Sequence, residues 1–209
     1  MAKRILLLTL LLAAAGLAQT VNCVVAVVNG EIITLLDVEV AAEFGLGDGP
    51  PSGTAADPRL AALDALIDRK VVLGLARDVR SVNKDEIAAA FDSLRQAVGE
   101  EAFALKLAKF GLTPKDLEPF LEDRILFDRA LALRFSQSIP VSITEIERHY
   151  RDIYVPEQAR LGAAPQPLDR VAGSIESRIR DGRRSEQTAG WVRDMRKSAD
   201  IQIKKDCLK

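Results

Sequence analysis

Two cysteines, one histidine and a scatter of carboxylates are the residues of this chain with chemistry to offer, and their spacing narrows that chemistry. Cys23 and Cys207 stand near the two ends, with no histidine beside either. They suggest neither a thiolate metal site nor a Cys–His nucleophile. His149, the single histidine, lies between Arg148 and Tyr150 on an expected helix and reads as a surface residue rather than a ligand. No H-E-x-x-H, C-x-x-C, G-x-S-x-G or phosphate-loop pattern occurs. The 30 Asp and Glu residues recur at helix-surface spacing, where solvation explains them. The expectation is therefore a chain with no catalytic constellation, no metal and no cofactor.

Of 209 residues, 48% are apolar and 28% charged, which is ordinary for a globular protein. Net charge is −1 and only 5% of residues are aromatic, so nucleic acid is not an expected partner. Lys3 and Arg4 precede an apolar run from Ile5 to Ala15, followed by Gly16-Leu17-Ala18. That pattern predicts a secretory signal peptide over residues 1–18, cleaved near Ala18–Gln19. The run is short for a bilayer span, so no stable membrane insertion is expected after cleavage; an uncleaved anchor is the alternative. Export would make disulfides possible. Residues 168–209 carry a net charge of +4, which leaves −7 on residues 19–167 once the two signal charges are set aside. Either a basic tail packs on an acidic body or both faces are simply solvated.

The elements that must position any site are helices. "VVAVV" and "EII" flank Asn29-Gly30, the pair preferred in a type I′ hairpin turn. Thr34 with Asp37 resembles a capping box and opens a helix to about Phe44. Gly45 to Asp57 is a Gly/Pro-rich connector. Leu60, Leu63, Leu66, Ile67 and Val71 mark an amphipathic core helix after Pro58. Asn83 with Glu86 caps the next helix, which Gly99 ends, and a short helix reaches Gly111. Thr113-Pro114 opens a long helix to about Ser136, roughly 35 Å at 1.5 Å per residue. Thr144 with Glu147 suggests a further capping box. Residues 156–167 read as a linker. A last helix starts near Leu168, carrying Val171, Ile175 and Ile179 and then Trp191 and Met195, with a kink or break expected at Gly182 or Gly190. "DIQIK" closes the pattern as a half-buried strand.

The ordered set "NGEIIT", "L…LIDRKVV", "GLTPKDLEPFLEDRI" and "ITEIERHY" resembles the N-terminal domain of SurA-type periplasmic chaperones over roughly residues 23–155. The tail "IRDGRRSEQTAGWVRDMRKSADIQI" is similar to that family's closing helix and strand. The chain departs from the family where a parvulin prolyl-isomerase domain usually follows: "YVPEQARLGAAPQP" runs directly into the closing helix. The resemblance implies a mostly α fold, with a helical domain over 19–155, a linker over 156–167, and a C-terminal segment over 168–209 that packs back on it. It also implies a function, that of an ATP-independent periplasmic holdase for unfolded envelope or outer-membrane proteins. A prolyl isomerase and a dedicated single-partner assembly factor are the alternatives. Phe103, Phe110, Phe120 and Phe127 are candidate client-binding residues that equally suit a core.

A lone hairpin is marginal in water, so "VVAVV" is expected to pair antiparallel with "DIQIK" in a small three-stranded sheet, a closure the resemblance also implies. The expected register sets Val28 opposite Gln202 and Cys23 opposite Cys207, and with it a Cys23–Cys207 disulfide. Two free thiols or an intermolecular link are the alternatives.

Overall fold

The computed structural model describes residues 23–47, 57–75 and 81–208. The expected signal peptide and most of the Gly/Pro connector lie outside these residues. Strands β1 (Val24–Val28) and β2 (Glu31–Thr34) form the hairpin. Asn29 and Gly30 both take positive φ at its turn, 49° and 88°, as a type I′ turn requires. Helices α1 (Leu35–Glu43), α2 (Pro58–Leu75), α3 (Lys84–Val98) and α4 (Glu100–Phe110) follow. Helices α5 (Glu118–Arg134), α6 (Ile143–His149), α7 (Val155–Arg160) and α8 (Leu168–Ser198) complete the helical part. Strand β3 (Ile201–Ile203) returns to the hairpin, giving the sheet order β2-β1-β3 with both pairs antiparallel. The protein is mostly α with a small sheet that joins its two ends.

The register of that sheet corrects the expected one by a single residue. Val28 lies opposite Ile201 and Val27 opposite Gln202. Cross-strand partners share a face, so a one-residue slip turns every side chain over. The observed register sets Ile201 beside buried Val28 and leaves Gln202 exposed; the expected one would turn Gln202 toward the core. Asn29 N–H to Asp200 C=O and Lys204 N–H to Val25 C=O, each 2.8 Å, bracket the ladder. Cys207 therefore sits beyond the strand, on a 3₁₀ turn (Lys205–Leu208). That turn brings Cys23 and Cys207 together as a disulfide pair, with Cα atoms 6.1 Å apart, within the range a disulfide allows.

Four helix boundaries differ from expectation for local reasons. The long helix does not run unbroken from Pro114. A 3₁₀ turn (Pro114–Leu117) precedes α5, because Pro119 supplies no N–H to an earlier carbonyl and fits only within a helix's first turn. The α6 cap is Ser142 with Glu145, two residues before the expected Thr144 and Glu147. The stretch read as linker begins as helix: a π turn (Tyr150–Tyr154) joins α6 to α7, and Val155 N–H reaches Tyr150 C=O. This widened turn lies just before Pro156, whose ring would clash with a regular α-helical carbonyl. Finally, α8 is unbroken over 31 residues, about 46 Å, despite Gly182 and Gly190.

Three buried clusters lie along α8. Val171 and Ile175 pack with Ile146 of α6. Val192 packs with Val72 of α2 and with Phe127 and Ala130 of α5. Met195 reaches the main core, which holds Val25, Val28, Ile33, Val38, Ile67 and Leu117 among others. Polar ties brace the helix on both sides of its glycines. Arg180 and Arg183 donate to the carbonyls of Ile139 and Pro140, and Arg183 also pairs with Glu145. The Trp191 ring meets Phe135 edge-on at 5.9 Å. Arg196 grips Asp68 at 2.8 Å and Asp64 at 3.0 Å, both on α2. The basic C-terminal segment thus packs on the acidic body. Asp68 is fully buried and Arg196 largely so. Burial opposes the charge on Arg196, yet the two carboxylates outweigh it and hold its pKa above the ordinary value.

Truncating Arg196 to alanine leaves a buried carboxylate without its guanidinium. We expect a loss of about 3–5 kcal/mol in denaturant unfolding. Arg196→Met combined with Asp68→Leu should recover most of it, because a well-packed apolar pair often replaces a buried ion pair at no cost. For the disulfide, the unreduced and unfolded protein should show no alkylatable thiol. Reduction should lower stability by up to about 5 kcal/mol, the chain-entropy value for so long a loop. Glu145 supplies a pH test. The Ser142 N–H and hydroxyl, with the Arg183 guanidinium, hold its carboxyl down at about 2 from an ordinary 4.5. A depressed folded pKa contributes stability above the unfolded pKa and loses it as pH falls through the folded one. Between pH 4.5 and 2 the first turn of α6 should therefore lose amide-exchange protection, and Ser142→Ala should move that loss to higher pH.

Candidate functional site

The four phenylalanines singled out from the sequence do not form one surface. Phe103 is 3% exposed. It meets Phe44 edge-on at 5.6 Å, and the Arg95 guanidinium lies over its face at 5.5 Å. Phe127 is 2% exposed and packs with Val72 and Val192. These two are core residues with no face left for a partner, because each fills the junction between helices. Phe110 and Phe120 are partly buried against the main core and line two separate hollows. The Cys23–Cys207 pair lies at the sheet, where it staples the chain ends. His149 is partly buried, and no group of three or more metal-binding side chains occurs among the described residues.

A groove of about 820 Å³ is bounded by the end of α1, by α3 and by α5. Ala90, Leu94, Ala97 and Val98 of α3 form one wall, and Leu121 and Ile125 of α5 the other. Phe44, Gly45 and Leu46 close one end. Arg69, itself buried, donates to the Leu46 carbonyl and so fixes the turn after α1. Alanines leave the width: a helix carrying Ala90 and Ala97 has no bulk to fill the space facing α5. The apolar floor has a mixed rim of Lys106, Arg124, Glu43 and Asp128. Lys106 donates to the Glu43 carbonyl and lies 5.9 Å over the Phe44 ring. Lys109 and Lys106 hold the Glu43 carboxyl below its ordinary pKa, Lys109 contributing most through a 2.5 Å hydrogen bond. The rim therefore stays charged on both signs at neutral pH.

Asp128 also borders a second hollow of about 530 Å³ between α5 and α8, which includes Leu131, Ala132 and Phe135. The alanines of "DEIAAAFDSLRQAV" were the available sequence signal, because small apolar residues on an amphipathic helix leave space rather than fill it. No family model matches the chain, and no curated protein matches it. Among the described residues no helix is long and apolar enough to cross a membrane.

Proposed function

We propose that this protein is an ATP-independent holdase of the periplasm that shields unfolded envelope proteins, outer-membrane proteins among them. The observation that carries the proposal is the open groove between α1, α3 and α5. Its apolar floor and charges of both signs suit many extended segments and select strongly against few, as a general binder requires. The disulfide pair of Cys23 and Cys207 fits an oxidising compartment. The likeness to SurA-type chaperones in the order of sequence motifs points the same way.

The groove offers a direct test. Ala97 is exposed and Ile125 half-buried, and both line it. Placing a carboxylate there should spoil apolar contact while leaving the core intact. Light scattering from a diluted, denatured outer-membrane protein should fall as the wild-type chain is added, without ATP. Ala97→Glu combined with Ile125→Glu should need about tenfold more protein for the same suppression. The holdase reading fails if wild type leaves scattering unchanged while a control chaperone suppresses it. It loses this groove if the variant matches wild type.

A further inference from the structure

A second cleft, of about 270 Å³, opens at the free edge of the sheet and shares no lining residue with the groove. Its apolar lining is Ile32, Ile33, Leu66, Pro119 and Phe120. Ile32 is 57% exposed, unusual for a residue of its size on a strand. Among the described residues β2 has β1 on one side and no strand on the other. Glu31 and Ile33 pair with Val28 and Ala26 across a two-residue turn. In that arrangement the intervening residue's backbone groups face away from the partner strand. The N–H and C=O of Ile32 thus point along the open edge, where a further extended chain finds a donor and an acceptor.

The charge around the cleft is one-sided. Asp37, Asp116 and Asp123 line it, and Glu31 adjoins it. Among the described residues the one cation lining it is Lys70, bound to Glu31 at 2.9 Å and Asp123 at 3.2 Å. Asp37 and Asp116 each spend Oδ2 on a helix cap, at Thr34 and Thr113, and Asp123 spends Oδ2 on Lys70. Among the described residues the Oδ1 atoms of all three have no hydrogen bond. The Thr113 hydroxyl and N–H hold the Asp116 carboxyl below the ordinary range, so it is ionised at neutral pH.

We propose that this cleft docks an extended polypeptide segment bearing one arginine or lysine. The segment's backbone pairs with Ile32. The aliphatic stem of its basic residue lies on Leu66, Pro119 and Phe120, and the cationic head takes the open carboxylate oxygens. Long basic side chains suit such a site because stem and head have opposite requirements, and the Phe120 ring adds a cation–π contact. A neutral apolar segment would leave the carboxylates unanswered, and an acidic one would be repelled.

The test uses the full oxidised chain and labelled peptides of alternating threonine and valine, about ten residues long, read by fluorescence anisotropy. The arginine and lysine versions, with the basic residue at the centre, should bind saturably and about tenfold tighter than the glutamate version. Their binding should weaken several-fold as ionic strength rises from about 0.05 to 0.5 M. Asp123→Asn should weaken the basic peptides about tenfold. Ile32→Pro, which removes the outward N–H without breaking a β1–β2 hydrogen bond and also removes the Ile32 side chain from the cleft, should weaken them as well and covers the case in which the first variant fails to fold. Ala97→Glu with Ile125→Glu should leave the preference for basic over glutamate peptides unchanged, so failure here and failure of the holdase reading are distinguishable. Equal binding of arginine and glutamate peptides, no saturation up to about 1 mM, or indifference to both cleft variants would overturn the proposal.

Discussion

Where the two ends of this chain come together, one guanidinium crosses from α8 to α2. Arg196 reaches Asp68, which is fully buried, and Asp64 on the same helix face one turn away. A carboxylate that deep is tolerable only with a cation and good geometry, so the pair admits little latitude in how α8 lies on α2. With that angle set, the last turn of α8 delivers Ile201 to β1, and the 3₁₀ turn beyond carries Cys207 to Cys23. Neither the short third strand nor the hairpin would persist alone. The ion pair, the sheet and the disulfide are successive consequences of one docking.

The same helix organises the other side of the body. Asp68 and Arg69 are neighbours in sequence but point to different partners: Asp68 to Arg196, and Arg69 to the carbonyl of Leu46 after α1. One helix therefore anchors both the C-terminal segment and the turn that closes the groove. On the α3 wall of the groove Ala90 and Ala97 leave space facing Leu121 and Ile125 of α5, whereas Phe103 and Phe127, which suited a core as well as client binding in the sequence, lie in the core.

Capping signals were legible wherever they were strictly local. Thr34 with Asp37 and Asn83 with Glu86 form the reciprocal bonds their spacing implies. The α6 cap was equally visible as Ser142-x-x-Glu145, but Thr144 and Glu147 offered the same pattern two residues later, and only the packing of Ile146 against Val171 and Ile175 chooses between them. Pro119 and Pro156 were visible breakers whose consequences depended on context: one restarts a helix, and the other is accommodated by a widened turn.

By itself the sequence determined the hairpin and its turn, the amphipathic core helix, the mostly α class and the meeting of the two ends. The first three follow from interactions spanning at most one helical turn or from apolar periodicity; the meeting of the ends was expected because a lone hairpin is marginal and "DIQIK" alternates like a further strand. Tertiary structure decided the strand register, the continuity of α8 across two glycines, the burial of Asp68, and which apolar residues line a groove instead of a core. The physical reason is common to the four. Each compares the free energies of competing long-range arrangements, differing by one residue of slip or one side chain's burial. That comparison exists only once the partner surface, distant in sequence, is in place.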